Sequence, residues 1–463
     1  MTYPKGWRAA TALRGVTTGD TVKYETVSYD VLQDSPVLAG RFHREDDLGH
    51  NVFLNTVADD PKYLAASPAQ LSLHRNLVDQ AVKLFGARHF DHYDFLFSLS
   101  DQLGGSGLEH HRSSEDGVGA KYFTDWEASL PDHNLLPHEF THSWDGKFRR
   151  GQDLWTPNFN TPMRDSLLWV YEGQTQFWGY VLEARSGLAT KPQVLDALAS
   201  IAAGLDNLPA RDWRPLIDTT NDPIIASRKP KGWLSNQRSE DYYNEGMMIW
   251  LEADAIIRTG TKGTKGMDDF ARAFFGMNDG DYGELTYTID DVAQTLNSVY
   301  PNDWKAFLTQ RLTRTGKGAP LDWVAASGYE LRYDDTPSVF TKAVSASRKT
   351  LDLNYSLGIS VGKPTGATVS KISGVMWDGP AYKAGLTVGQ ELVAVNDRPY
   401  TDEAINDAIK AAKGGRDPIR LTTKTQGLVK TYDLRWNGGL RYPHLVKVAK
   451  GDGPLDKLLA PRP

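Results

Sequence analysis

Residues His138, Glu139 and His142 form the pattern HExxH, the most specific chemical motif in the chain. On an α-helix, residues four positions apart lie on one face, so the two histidines can bind a single metal ion. Glu139 lies one step round the helix, where its carboxylate can reach a water molecule on that ion. Pro137 is compatible with a first helical turn, so a helix can begin just before His138. The spacing predicts a catalytic metal site. The plain alternative is a surface helix with two solvated histidines.

Glu172 is the candidate third metal ligand. Catalytic zinc generally uses three protein ligands and leaves one position open. No histidine follows His142 at the HxxGxxH spacing, so a carboxylate on the next long helix is the alternative. Glu172 lies 30 residues after His142, beside apolar neighbours such as Phe177, and a carboxylate in such surroundings needs a partner that a metal can supply. Glu183, three turns further along, is the competing ligand, and Gln176 either supports a ligand or is simply exposed.

Composition limits the chemistries that remain. The 463 residues include no cysteine, which excludes disulfides, thiol nucleophiles, iron–sulfur clusters and cysteine-bound zinc. A net charge of −6 without a long basic run argues against nucleic-acid binding. No apolar segment approaches the ~18 residues of a membrane span, and the first residues do not resemble a signal peptide. Serine-hydrolase, Walker and dinucleotide-binding motifs do not occur.

Apolar periodicity predicts the elements that must position these residues. A chain of this length is expected to form about two to four domains. Short β-prone runs dominate residues 1–58, and residues 93–98 form an apolar run of strand length. Helical spacing predicts helices at 68–85, 135–144, 165–186, 240–258, 289–296 and 302–312. After about residue 347, strands alternate with short helices, which predicts a separate unit.

Several segments around these residues resemble one enzyme family. HEFTHSW at 138–144 and LLWVYEGQTQFWG at 167–179 resemble the gluzincin metallopeptidases. The similarity is closest to the glycyl aminopeptidase family, which joins a thermolysin-like catalytic domain to a PDZ domain. GLEH at 107–110 is similar to the family's counterpart of the GAMEN-type exopeptidase motif, and YYNEG at 242–246 to its YxxG segment. The similarity covers about residues 60–440, with the segments in the family's order.

The resemblance implies an α+β multidomain fold. Residues 1–58 would be a remnant of an N-terminal β-domain, and 59–346 a thermolysin-like zinc peptidase domain with a β-containing and a mostly helical subdomain. Residues 350–440 would be a C-terminal PDZ domain and 441–463 a tail. Relatives usually carry a longer N-terminal β-domain, so this chain is expected to begin inside its last part. Analogy with exported bacterial relatives favours a periplasmic or secreted location and leaves a cytoplasmic one open.

The resemblance also implies roles for the residues of the metal site. One zinc ion per chain would be bound by His138, His142 and Glu172. The zinc would polarise the scissile carbonyl and lower the pKa of a bound water. Glu139 would take a proton from that water and pass it to the leaving amine. Tyr243 matches the tyrosine of the YxxG segment and would donate a hydrogen bond to the oxyanion, with adjacent Tyr242 as the alternative.

Substrate binding would fall to the GLEH segment. Glu109 would bind the free α-ammonium group of the substrate and so count residues from its N-terminus. Gly107 and Leu108 would let the substrate backbone lie close to an edge strand. The plain alternative for Glu109 is an ion pair with a nearby basic residue such as Arg112.

The segment SLGI resembles the carboxylate-binding loop of a bacterial PDZ domain, with Leu357, Gly358 and Ile359 at its centre. Two roles stay open for this unit. It binds peptide C-termini in a groove, or it simply packs on the catalytic domain.

The function that the resemblance implies is a zinc aminopeptidase acting on peptides with a free N-terminus and releasing small residues, glycine and alanine. A zinc endopeptidase on the same scaffold is the first alternative, and blocking the substrate amine distinguishes the two. A PDZ-containing interaction protein with a retired enzyme site is the second. The presence of all of His138, Glu139, His142, Glu172 and Tyr243 argues against a retired site.

Overall fold

The computed structural model describes residues 1–221, 232–363, 366 and 368–463. Its α-helices are α1 (Tyr29–Gln33), α2 (Pro68–Phe85), α3 (Leu135–Thr141), α4 (Leu168–Ser186), α5 (Lys191–Asp206), α6 (Asp241–Gly260), α7 (Met267–Phe274), α8 (Ile289–Val299), α9 (Trp304–Thr313), α10 (Asp322–Ala326), α11 (Val339–Arg348), α12 (Pro380–Ala384), α13 (Asp402–Ala411) and α14 (Pro454–Leu459). Its β-strands are β1 (Arg8–Ala10), β2 (Gly15–Thr18), β3 (Thr21–Tyr24), β4 (Leu38–Gly40), β5 (His43–Asp47), β6 (Val52–Ala58), β7 (Tyr93–Leu99), β8 (Ser106–Glu109), β9 (Ser113–Val118), β10 (Arg149–Gly151), β11 (Leu285–Tyr287), β12 (Tyr329–Asp334), β13 (Thr350–Leu353), β14 (Ile359–Gly362), β15 (Lys371–Val375), β16 (Glu391–Val395), β17 (Arg398–Pro399), β18 (Ile419–Thr425), β19 (Leu428–Leu434) and β20 (Tyr442–Lys447). The described residues form two hydrophobic cores, which confirms the expected mixed α/β, multidomain fold.

A five-stranded sheet in the order β5-β6-β7-β9-β8 precedes the main helices. β6, β7 and β9 run parallel, whereas β8 pairs antiparallel with β9 at the edge of the sheet. β7 has the sequence YDFLFSL and is almost entirely buried, as expected for a central parallel strand. Helix α2 contributes to the same core; a capping box of Ser67 and Gln70 begins it, and Gly86, at φ 71°, ends it. The sheet therefore presents β8 along one open edge.

Helix α4 crosses α6 at a pair of glycines. Side chains all round the 19-residue α4 are buried, so it lies inside the core rather than on its surface. A Cβ atom at Gly173 would lie 3.0 Å from the Cα of Gly246, and a Cβ atom at Gly246 would lie equally close to the Cα of Gly173. The indole rings of Trp169 and Trp250 stack at 5.4 Å on the same two helices. The glycines thus let the two backbones approach next to Glu172.

The buried residues of the second core run from Leu353 to Tyr442. Their sheet has the order β13-β14-β15-β16-β18-β19, with β17 paired to β16, and it packs with α12 and α13. The unit contacts the larger part of the chain through Ser235, whose hydroxyl donates to the carbonyl oxygen of Val375 and accepts from the amide of Trp377, each at 2.8 Å. The indole of Trp233 packs edge-on against the ring of Tyr382 at 4.9 Å. These contacts hold the unit against the helical region.

Residues 441–463, assigned to a tail from the sequence, instead return to the larger core. Strand β20 pairs antiparallel with β12, which lies far earlier in the chain. Helix α14 buries Leu455, Leu458 and Leu459, and the guanidinium of Arg185 donates to the carbonyl oxygen of Leu458 at 2.7 and 2.9 Å. Local periodicity does not reveal this because the partners of both elements are distant in sequence. None of the described helices is long and apolar enough to cross a membrane.

Candidate active site

Helix α3 carries His138 and Glu139 of the HExxH motif, and aromatic side chains pack on its opposite face. His138 and Glu139 lie on α3, and His142 is the residue directly after it. On the opposite face, the ring of Phe140 packs 4.8 Å from Tyr93 and 5.0 Å from Trp144. This packing fixes the helix and leaves its polar side chains facing α4.

His138, His142 and Glu172 converge on one point. The Nε2 atoms of both histidines lie 3.4 Å from the same carboxylate oxygen of Glu172, Oε2. That oxygen is buried, and the described part of the chain gives it no hydrogen-bond partner of ordinary length. Glu183, the competing ligand from the sequence, is buried beside Asn134 and belongs to neither group of metal-ligand atoms found among the described residues.

The outer nitrogen of each histidine is held by an acceptor. Nδ1 of His138 lies 3.1 Å from the side-chain oxygen of Gln176, and Nδ1 of His142 lies 2.9 Å from the backbone oxygen of Asp145. Because both partners accept, each imidazole in its neutral form carries its proton on Nδ1 and keeps a lone pair on Nε2. Two nitrogen lone pairs and an unpartnered carboxylate oxygen therefore face one another across a gap, which fits a divalent cation such as zinc.

The charges around these atoms also favour a cation. Burial lowers the pKa of His142, but the carboxylates of Glu172 and Glu109 outweigh burial and raise that pKa to about 10. Burial raises the pKa of Glu172, but His142 and His138 outweigh burial and lower that pKa to about 2. The site thus stabilises positive charge between its carboxylates, which a divalent cation could supply.

Glu139 lies between the metal-ligand group and the edge strand. A Cβ atom at Gly107 of β8 would overlap the Oε1 atom of Glu139, so a side chain at this position would displace the Glu139 carboxylate. The Oε2 atom of Glu139 is buried and has no hydrogen-bond partner among the described residues. Burial raises the pKa of Glu139 well above its usual range; His142 opposes this effect, and neighbouring carboxylates add to it. The result is a carboxyl group that holds a proton readily and has one oxygen free.

Of the two tyrosines in the YxxG segment, Tyr243 is the one near the metal-ligand atoms. Its ring lies 5.9 Å from the ring of His138, and its hydroxyl interacts with the Glu172 carboxylate. Burial, followed by the charge of Glu172, raises the pKa of Tyr243, so its hydroxyl keeps its proton. Tyr242 is buried behind it, with the two rings 5.0 Å apart.

Glu109 points into the same site. One of its carboxylate oxygens lies within 4.8 Å of ligand atoms of both Glu139 and His142. It accepts a hydrogen bond from the hydroxyl of Tyr171. The ion pair with Arg112 that the sequence allows is not formed, because that guanidinium pairs with Asp91 at 3.4 Å. Leu108 of β8 is half-exposed, so the edge beside Glu109 is open to a ligand.

Sequence reasoning missed three residues of this site. Asp145 orients His142, Tyr171 contacts Glu109, and Asn244 accepts from the amide of Gln176 at 3.0 Å. Tyr171 directly precedes Glu172, but an aromatic residue on a buried helix carries no signal that separates it from core. Asn244 lies within the YYNEG segment, in which the sequence analysis assigned a role only to the tyrosines.

The SLGI segment is enclosed in its own unit. Leu357 and Ile359 are fully buried, and Gly358 has φ 74°, a conformation that favours glycine. Strand β14 is paired on both edges, with β13 and with β15. The carbonyl oxygen of Leu353, at the end of β13, accepts from the amides of Ser356 and Gly358 at 3.1 and 3.0 Å. In the described part of the chain, β13 therefore takes the edge of β14 and the loop amides that a bound peptide would otherwise pair with.

Two protein-family models match parts of this chain. Residues 132–249 match the family described as M61 glycyl aminopeptidase, and residues 1–41 match the Peptidase M61 N-terminal domain. The first of these ranges contains the metal-ligand residues and Tyr243. A search of the curated proteins found no match.

One solved structure shares the fold over almost the whole chain, and others are less similar. An aminopeptidase N family protein from Idiomarina loihiensis superposes with a TM-score of 0.76 at 18% identity, over 99% of this chain and 77% of that chain. An M1 zinc metallopeptidase from Deinococcus radiodurans gives a TM-score of 0.43 at 15% identity, over 68% of this chain and 64% of that one. Yeast LTA4 hydrolase in complex with bestatin gives a TM-score of 0.43 at 15% identity, over 69% of this chain and 47% of that chain. The family match and the fold support a peptidase, a hydrolase of peptide bonds.

Proposed function

We propose that this chain is a zinc-dependent aminopeptidase that hydrolyses the N-terminal bond of peptides. The observation that carries the proposal is the convergence of the metal-ligand atoms, the free carboxylate oxygen of Glu139 and the carboxylate of Glu109 beside one open strand edge. The first two account for hydrolysis. The third accounts for the choice of the terminal bond.

One zinc ion would be held by His138, His142 and Glu172, whose converging lone pairs support this assignment. Bound there, zinc acts as a Lewis acid toward the scissile carbonyl and makes a water molecule more acidic. The hydrogen bonds that the two Nδ1–H groups donate to Gln176 and to the backbone oxygen of Asp145 keep both imidazoles in the tautomer that the metal requires.

Glu139 acts as general base and then as general acid. Its unpartnered oxygen accepts a proton from the attacking water, and burial favours the protonated carboxyl that results. The same proton then passes to the nitrogen of the leaving amine as the peptide bond breaks. Gly107 keeps strand β8 close enough to present the substrate to this carboxylate.

Tyr243 stabilises the negative charge that develops on the carbonyl oxygen. Its hydroxyl stays protonated and lies beside the Glu172 carboxylate, so it can donate to an oxyanion formed there. Removing one such donor typically costs about 2.7–4 kcal/mol of transition-state stabilisation.

Glu109 sets where the substrate begins. Its carboxylate offers an ion pair to the free α-ammonium group, and the open edge of β8 offers backbone hydrogen bonds to an extended peptide. The preference for glycine or alanine at the first position is supported by the match to a glycyl aminopeptidase family.

The C-terminal unit, residues 350–440, we propose to be a PDZ-like domain that packs on residues 59–346. The contacts of Ser235 support packing, and the pairing of β14 on both edges opposes capture of a peptide C-terminus by strand addition.

Hydrolysis of alanyl and glycyl anilides beside their N-acetylated twins, with and without a chelator, tests the proposal. Cleavage of the free-amine substrates alone, abolished by the chelator, is the expected result. Cleavage of both forms would replace the aminopeptidase by an endopeptidase and return Glu109 to a structural role. No cleavage of either, with metal bound, would indicate a retired site.

A further inference from the structure

Tyr171 is held by contacts of both its backbone and its ring. Its backbone oxygen accepts from the hydroxyl of Thr175 at 2.6 Å, and its ring lies 5.0 Å from the ring of His142. A Cβ atom at Gly146 would lie 2.5 Å from the ring carbon that carries the hydroxyl, and Gly146 has φ 123°. A glycine is therefore needed there both for its backbone conformation and for the space that the ring fills.

The Tyr171 hydroxyl donates to one carboxylate oxygen of Glu109. Glu109 lies on an edge strand and has a long side chain, so without a partner its carboxylate would sample several rotamers. The hydrogen bond occupies Oε1 and leaves Oε2 available to a ligand. A carboxylate ordered in advance binds a cation more tightly, because the ordering has already taken place.

Tyr171 and Glu172 are consecutive on α4, so one stretch of helix sets both the metal-ligand atoms and the amine-binding carboxylate. Buried side chains surround this stretch, which makes the separation between the two points rigid. A rigid separation determines how much substrate fits between the free amine and the reacting carbonyl.

We propose that Tyr171 is a positioning residue that holds Glu109 at a fixed distance from the metal site, so that the enzyme releases one residue at a time. The inference rests on the proposed aminopeptidase function. Tyr171 touches no reacting atom. It acts through Glu109.

The test compares Tyr171→Phe with Tyr180→Phe, in the wild-type and the Glu109→Gln backgrounds. Tyr180 lies about two and a half turns further along the same helix in the same core, so its substitution controls for loss of a buried hydroxyl. kcat and KM are measured with alanyl anilide, together with bound metal and thermal unfolding of each variant. Release of single residues from a tripeptide is followed in parallel.

Tyr171→Phe is expected to lower kcat/KM about 10- to 100-fold, mainly through KM, because it removes a hydrogen bond to a charged group. Metal content should not change, and in the Glu109→Gln background the same substitution should have almost no further effect. The Tyr180→Phe variant should match the wild type.

Three results would overturn the inference while leaving the proposed function intact. The first is an active Tyr171→Phe variant with wild-type KM. The second is a loss of equal size in the Glu109→Gln background and the third is loss of bound metal, since either of these indicates a merely structural role. A wild-type protein that cleaves neither the free-amine nor the acetylated anilide overturns the proposed function and, with it, this inference.

Discussion

Replacing Gly246 by alanine tests whether the helix crossing places Tyr243. The new Cβ atom would lie 3.0 Å from the Cα of Gly173 and 3.1 Å from the carbonyl oxygen of Trp169. Both are backbone atoms, and carbon atoms in contact prefer about 3.5–4.0 Å, so α4 and α6 must separate by roughly 0.5–1 Å. Overpacking of this kind costs about 1–3 kcal/mol of the free energy of unfolding. The higher helix propensity of alanine offsets up to about 1 kcal/mol of that cost.

Separating α4 from α6 would move residues of the candidate active site. Tyr243 lies one helical turn before Gly246 on α6, and Glu172 directly precedes Gly173 on α4. Misplacing a catalytic group by about 1 Å can lower the rate roughly 10²-fold. The Gly246→Ala variant should therefore lose about 10- to 100-fold in kcat on alanyl anilide. It should still bind metal, although more weakly, because two of the three proposed ligands, His138 and His142, lie on and directly after α3 and not at the crossing.

Gly204→Ala is the matched control. Gly204 is exposed on α5, and its added Cβ atom would lie 3.9 Å from the nearest atom, the hydroxyl oxygen of Tyr355. This change should raise the free energy of unfolding by about 0.5–1 kcal/mol and leave kcat unchanged. A Gly246→Ala variant with wild-type kcat and melting temperature would refute the reasoning.

Three further predictions concern single residues. Glu139→Gln should keep its metal and lose about 10²–10⁴-fold in kcat, as single-turnover assays and metal analysis can check; appreciable activity would remove Glu139 from its role. Gln176→Leu leaves Nδ1 of His138 without an acceptor and should weaken metal affinity about 10–100-fold in a chelator competition, whereas unchanged affinity would contradict that hydrogen bond. Asp268 is buried against Arg185. Burial raises the pKa of Asp268, but the charges of Arg185 and Arg462 outweigh burial and lower that pKa below its usual range. Its stabilisation is therefore full above the unfolded-state pKa and is lost as pH falls through the lower folded-state pKa, so melting temperatures should drop below about pH 4. Asp268→Asn should lose stability at neutral pH and flatten that drop, which thermal unfolding at several pH values would measure.

The proposed metal-binding chemistry of helix α3 follows from local sequence. His138 and His142 share a helical face because the α-helix repeats every 3.6 residues, and that spacing needs no knowledge of the rest of the chain. Glu172 follows almost as directly, because a carboxylate among apolar residues on a predicted helix needs a partner. The central strand β7 can likewise be predicted from the sequence, since a buried parallel strand has a nearly continuous apolar run. Fold class and peptidase activity were within reach of the same local patterns and their resemblance to a family.

Only the tertiary structure decides the contacts between segments that are far apart in sequence. Tyr171 and Glu109 are 62 positions apart, and nothing local distinguishes a tyrosine that orients a carboxylate from one that fills a core. The place of residues 441–463 depends on a strand partner in β12, and the pairing of β14 on both edges depends on how β13 turns back. Helical and strand periodicities report which face of an element is buried. They carry no information on which distant element covers it, because that choice depends on the packing of the whole core.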